Sequence, residues 1–145
     1  MDFFDIRIDE LSGMLAWFSD DANFESGRLA NAAAAAASSD RWRTIGMLEA
    51  AYEYGSAPAR YAVMRLLCGL SIPDDPCIAK MENLVSRGLL DKAGNVQEQA
   101  VGLAEHLRTP ARLKSLEQYA TSLDKGSMME EYVSKVIAEI RSEIG

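Results

Sequence analysis

From residue 26 to residue 144 the apolar side chains recur at intervals of three and four, and strand-like alternating runs bounded by turn residues are scarce. That spacing returns side chains to one face of a 3.6-residue helix, so the chain has to bury helical stripes against one another. The expected fold class is all-α. Turn residues divide the pattern at Asp20-Asp21, Ser38-Ser39-Asp40, Gly55-Ser56, Pro73-Asp74-Asp75-Pro76, Gly88, Gly94-Asn95, Thr109-Pro110 and Lys125-Gly126-Ser127. The helices predicted between these breaks run over 8–18, 24–37, 40–54, 57–70, 75–87, 95–107, 110–123 and 127–143. Ser39 and Thr109 are expected N-caps, Pro110 a first helical residue, and Gly55 and Gly88 left-handed C-terminal caps. The opening stretch, residues 3–8, alternates weakly and fits a short strand, an extended arm or a helix end.

With 145 residues, 48% of them apolar and only 4 prolines, the chain can bury a core without metals or disulfides, and a single domain over 1–145 is expected. Cys68 and Cys77 are too few for a disulfide framework and wrongly spaced for zinc, so both read as reduced, with Cys68 in the core. Residues 1–7 lack a basic start followed by an apolar run, and no stretch approaches the ~20 apolar residues of a membrane span. A cytoplasmic protein with no membrane contact is the expectation.

Three segments share one pattern, around Ala62, Ala100 and Val133, spaced by 38 and 33 positions. Each follows a helix of similar length, carrying Ile45, Leu48, Ala51 and Tyr52, then Ile78, Met81, Leu84 and Val85, then Leu113, Leu116, Ala120 and Leu123. The unit is a helical hairpin, and a hairpin buries its apolar face by stacking on a neighbour. Over residues 39–144 the chain therefore resembles short HEAT-like or armadillo-like α-helical repeats, three hairpins preceded by an acidic capping region over 1–38. The resemblance implies a scaffold that binds proteins or peptides on a concave face, with nucleic acid as a partner in some families. An orthogonal bundle of helical pairs gives the same periodicity.

Motifs that carry chemistry are scarce. A single histidine, His106, rules out a multi-histidine metal site, and the residue three before it is Leu103 where a di-iron bundle needs Glu. His106 reads as a helix-end residue facing terminal carbonyls. The acid pairs Asp9-Glu10, Asp20-Asp21, Asp74-Asp75 and Glu130-Glu131 point their members to different faces and suit helix starts. No Gly-rich phosphate loop or nucleophile elbow is present. A carboxylate-dependent enzyme stays an alternative, but no catalytic residue, cofactor or metal is expected. Leu84 to Asp91 resembles the end of a recognition helix entering a winged-helix strand, with 77–87 in the major groove, yet it offers only Lys80 and Arg87 against Glu82.

Charge points to a partner instead. The chain carries a formal −7, and seven acids in the first 25 residues, Asp2, Asp5, Asp9, Glu10, Asp20, Asp21 and Glu25, stand against Arg7 alone. Such a field repels phosphate backbones and draws in basic surfaces. Aromatic and arginine side chains dominate interface hot spots, which singles out Arg41-Trp42-Arg43; Trp17-Phe18 is expected in the core, and of Tyr52 and Tyr54 at least one is expected at the surface. The expected partner-binding residues are Asp2, Asp5, Asp9, Glu10, Asp20, Asp21, Arg41, Trp42 and Arg43. The function expected from them is an inhibitor such as an immunity protein or antitoxin that blocks a basic protein, with a nucleic-acid mimic or DNA-binding regulator as the alternative.

Overall fold

The computed structural model describes residues 2–17, 25–107 and 110–144. Among them the chain is all-helical: a 3-10 turn η1 (Phe3–Asp5), then α1 (Ile8–Trp17), α2 (Glu25–Ser39), α3 (Arg41–Tyr54), α4 (Ala57–Leu70), α5 (Ile78–Leu89), α6 (Gly94–Leu107), α7 (Pro110–Thr121) and α8 (Met128–Ile144). Pro110 opens α7 as its fixed φ predicts, while Thr109, the expected cap before it, lies outside the described residues. The largest boundary difference is at α5, which starts three residues later than expected because residues 75–77 form a turn: the Asp75 carboxylate accepts the Cys77 N–H at 2.8 Å, and Ile78 N–H donates to Asp75 O.

The chain forms two compact units, Met1–Lys80 and Met81–Gly145, so the division falls inside α5. In the first, α3 and α4 pack together, α1 lies against both, α2 covers α3 and α4, and η1 rests on α2. The core joins Leu11 and Leu15 of α1 to Ile45, Leu48 and Ala51 of α3 and Val63, Met64 and Leu67 of α4, all essentially inaccessible. Burying each large aliphatic side chain contributes roughly 2 kcal/mol. The alanine run of α2 is structural: Ala33, Ala36 and Ala37 are buried and small enough for α2 to lie close on its neighbours. Phe3 and Ile6 anchor η1, so the opening segment is a helical turn with an apolar root and not a strand.

Two of the expected glycine caps take other roles. Gly55 is extended (φ −81°, ψ 154°), and a Cβ on it would meet Ala51 O at 2.7 Å and Ala59 Cβ at 2.8 Å. Glycine is required there by the tight passage from α3 to α4, not by a left-handed backbone. Gly88 is buried inside α5, which continues to Leu89.

In the second unit α6 and α7 pack together and both lie on α8. Met81, Leu84 and Val85 of α5, Val96, Val101 and Leu103 of α6, Leu116 of α7 and Val133, Val136 and Ile140 of α8 form its core. A polar chain fastens α7 to α6: Tyr119 Oη donates to Gln97 Oε1 at 2.7 Å, and Gln97 Nε2 donates to Asp91 O at 2.6 Å. Burial pushes the Tyr119 hydroxyl up. Gly126, with φ +81°, makes the turn into α8, where Ser127 Oγ accepts the Glu130 N–H, the N-terminal half of a capping box.

Candidate functional site

The site is built around the start of α3. Asp40, not the expected Ser39, is the N-cap: its backbone is extended and its carboxylate accepts the Arg43 N–H at 3.1 Å, while Ser39 is still the last residue of α2. Thr44 Oγ1 donates to Asp40 O at 2.8 Å and secures the same turn. Successive residues of a helix point about 100° apart, so Arg41, Trp42 and Arg43 leave the first turn in three directions and meet three environments.

Arg41 turns inward onto the loop between α4 and α5. Its Nε and Nη2 donate to the two Asp75 oxygens at 2.8 and 2.6 Å, and Nη2 also donates to Leu70 O at 2.6 Å. This bidentate pair is nearly dry, with side-chain exposures of 12% and 0%. The Arg41 hydrogen bonds hold the Asp75 carboxyl below the usual aspartate value despite burial, which opposes them. Cys77, packed beside the pair, has its thiol raised by burial first and by the Asp75 charge second. The sequence reading gave Arg41 a surface role in partner binding; its guanidinium is committed to this clamp instead. Equally, Cys77 is the fully buried cysteine, and Cys68, expected in the core, is half-buried.

The clamp fixes both ends of the loop tip. Ile72, 47% exposed, and exposed Asp74, with φ +52°, lie between Leu70 and Asp75, the two residues that bind the Arg41 guanidinium. No hydrophobic period marks this tip, and its Pro-Asp-Asp-Pro punctuation reads only as a turn, which is why sequence reasoning passed over it.

Arg43 reaches the other way. Its Cζ lies 4.5 Å from the Phe4 ring centroid, a cation–π distance. Phe4 packs edge-on against buried Phe3 (6.2 Å, 80°), and its N–H donates to the Asp2 carboxylate at 3.0 Å. Phe4 is flanked by exposed Asp2 and Asp5, and Trp42, 54% exposed, precedes Arg43 in the chain. The acidic turn and the aromatic–arginine cluster, distant in sequence, are therefore joined through one contact. Farther along, Arg7 Nε approaches Asp9 at 3.2 Å and Glu10 at 2.9 Å with all three side chains more than half exposed, so part of the acidity is offset on the spot. Asp20 and Asp21 lie outside the described residues.

Other expected positions fall elsewhere. Trp17 is 64% exposed at the end of α1 rather than in the core, since only Leu11 and Leu15 of that helix point inward fully; Phe18 lies outside the described residues. Tyr52 is buried and Tyr54 is 77% exposed, the split expected of residues about 200° apart on α3. His106 is exposed, with Nδ1 2.8 Å from Gly102 O in the last turn of α6. No winged-helix strand follows α5, because residues 90–93 form a short turn into α6. Among the described residues no group of three or more His, Cys, Asp and Glu side chains could hold a metal ion, and no helix is long and apolar enough to cross a membrane. No protein-family model matches the chain, and no significant match exists among curated proteins or solved structures.

Proposed function

We propose that this chain is a non-catalytic, cytoplasmic protein-binding module that blocks a basic partner, in the manner of an immunity protein or antitoxin, through the face where η1 meets the start of α3. The observation that carries the reading is the Arg43–Phe4 contact, which gathers acidic Asp2 and Asp5 beside the residue that follows exposed Trp42. An exposed tryptophan with charged neighbours is the usual composition of an interface centre and its rim. Trp42 supplies apolar contact area, the η1 acids supply attraction for a cationic surface, and the Arg41–Asp75 clamp holds the turn rigid so that little order has to be gained on binding. The net charge of −7 supports the same choice of partner.

Affinity capture from the source cells, with the full chain as bait at low and moderate salt, tests it. A basic protein recovered in stoichiometric amount by the native chain, and lost with the Asp2→Asn, Asp5→Asn, Asp9→Asn, Glu10→Gln variant, is the expected outcome. Recovery of nucleic acid, or of a partner retained equally by the neutralised variant, would contradict it.

A further inference from the structure

On the loop tip between α4 and α5 exposed apolar and acidic side chains stand together: Ile72, Pro73 and Asp74 are all open to solvent. The base of that tip is tied at both ends. Arg41 hydrogen-bonds Leu70 O on one side and both Asp75 oxygens on the other, and the Asp75 carboxylate also accepts the Cys77 N–H. Pro73 and Pro76 restrict φ at two further positions. Between them Asp74 holds φ +52°, a region that aspartate tolerates better than most side chains. A buried ion pair gains little net stability over apolar side chains of similar volume. What this one secures is the geometry of the chain between Leu70 and Asp75.

The placement and chemistry of the tip narrow what it can meet. Arg41 is the first residue of α3, so its bonds bring the tip beside the turn that carries exposed Trp42. From residue 71 to residue 76 the only charged residues are Asp74 and Asp75, and Arg41 neutralises Asp75. The tip therefore presents apolar area and one negative charge. Phosphates of nucleic acid and anionic lipid headgroups repel that charge, whereas a recess with an apolar floor and a cationic rim matches both features. A loop whose shape is fixed before contact loses little conformational freedom on entering such a recess. Resting on the protein-binding reading above, we infer that the tip inserts into a concave apolar recess of the same basic partner, Ile72 filling it and Asp74 pairing with a lysine or arginine at its rim.

Photocrosslinking of the full chain in the source cells tests this, with a genetically encoded aliphatic diazirine residue in place of Ile72, of Trp42 or of Tyr54. Tyr54 is the control, exposed and about 18 Å farther along α3 than Trp42. Positions 72 and 42 are expected to join the same basic protein, and position 54 none. With that protein purified, Ile72→Ala is expected to speed dissociation about tenfold, the scale of one well-buried apolar contact. Asp74→Asn, which keeps a side chain tolerant of the same φ, is expected to weaken affinity about threefold, the scale of one exposed ion pair. Both variants should keep the native circular dichroism spectrum. An adduct at 42 but not at 72, different proteins at the two positions, or binding unaltered by Ile72→Ala or by Asp74→Asn would overturn the insertion and leave the protein-binding reading standing. No adduct at either position, adducts equally strong at 54, or adducts with nucleic acid would overturn both.

Discussion

Individual residues here are held by contacts whose removal has readable consequences. Asp75 is buried against Arg41, and its carboxyl lies below the ordinary value of 3.8 because the charged form is hydrogen-bonded in the fold. A lowered folded pKa means that the contribution to stability is complete above the ordinary value and is lost as pH falls through the lower one. Asp75→Asn should cost about 3 kcal/mol at neutral pH by leaving the Arg41 charge without its counter-ion in a dry site, and its stability should fall less steeply below pH 4 than that of the native chain; urea titrations at pH 7 and pH 3 measure both. Cys77, with its thiol raised and inaccessible, should stay unlabelled by a thiol reagent at neutral pH while half-buried Cys68 reacts. Equal labelling rates would contradict the burial order. Gly55→Ala, with its methyl group forced against Ala51 O and Ala59 Cβ, should destabilise by roughly 1–3 kcal/mol in a thermal or urea melt. Sequence pattern pointed to glycine at 55 but for the wrong reason, since a requirement for close approach and a requirement for positive φ select the same residue.

At the scale of the elements, helical periodicity was a good guide because nearly every helix has one face made of large aliphatic side chains. The positions the sequence placed in the wrong environment are those whose burial depends on a neighbour distant in the chain. Cys68 lies one turn from buried Met64 and is only half-buried, while Trp17, two residues past buried Leu15 and so on the opposite side of α1, is 64% exposed. Arg112, which no sequence signal singled out, is a charged residue of α7 that is 1% exposed, with Nη1 3.3 Å from Glu82 Oε1 of α5. Burial, partly offset by Glu82, lowers its pKa to about 10. The guanidinium therefore stays charged at neutral pH at a desolvation cost, and the two ways of disturbing the pair should differ in sign or size. Glu82→Ala, which strands the buried charge, should destabilise by roughly 3 kcal/mol, whereas Arg112→Met, which replaces it with an apolar side chain of similar length, should be close to neutral. Comparable losses in the two variants, measured by chemical denaturation, would mean that Arg112 acts through packing and not charge.

Across the whole molecule, fold class and charge distribution were legible in the sequence, while the proposed binding face was legible only in pieces. The acidic opening and Arg41-Trp42-Arg43 each stood out in the sequence, but nothing in their spacing indicates that Arg43 lies on Phe4 or that Arg41 is withdrawn into a clamp with Asp75. Those are tertiary contacts between segments more than thirty residues apart. Because the proposed attraction is between a chain of net −7 and a cationic surface, its association rate should fall as salt rises, while its dissociation rate should depend on the apolar centre. The most direct measurement is the binding kinetics of the captured partner with the native chain and with Trp42→Ala, each at two salt concentrations. The account predicts that Trp42→Ala speeds dissociation at least about tenfold, the scale of a hot-spot side chain, and that salt slows association of both chains alike. Unchanged dissociation in Trp42→Ala would contradict the claim that the face where η1 meets α3 is the one that binds.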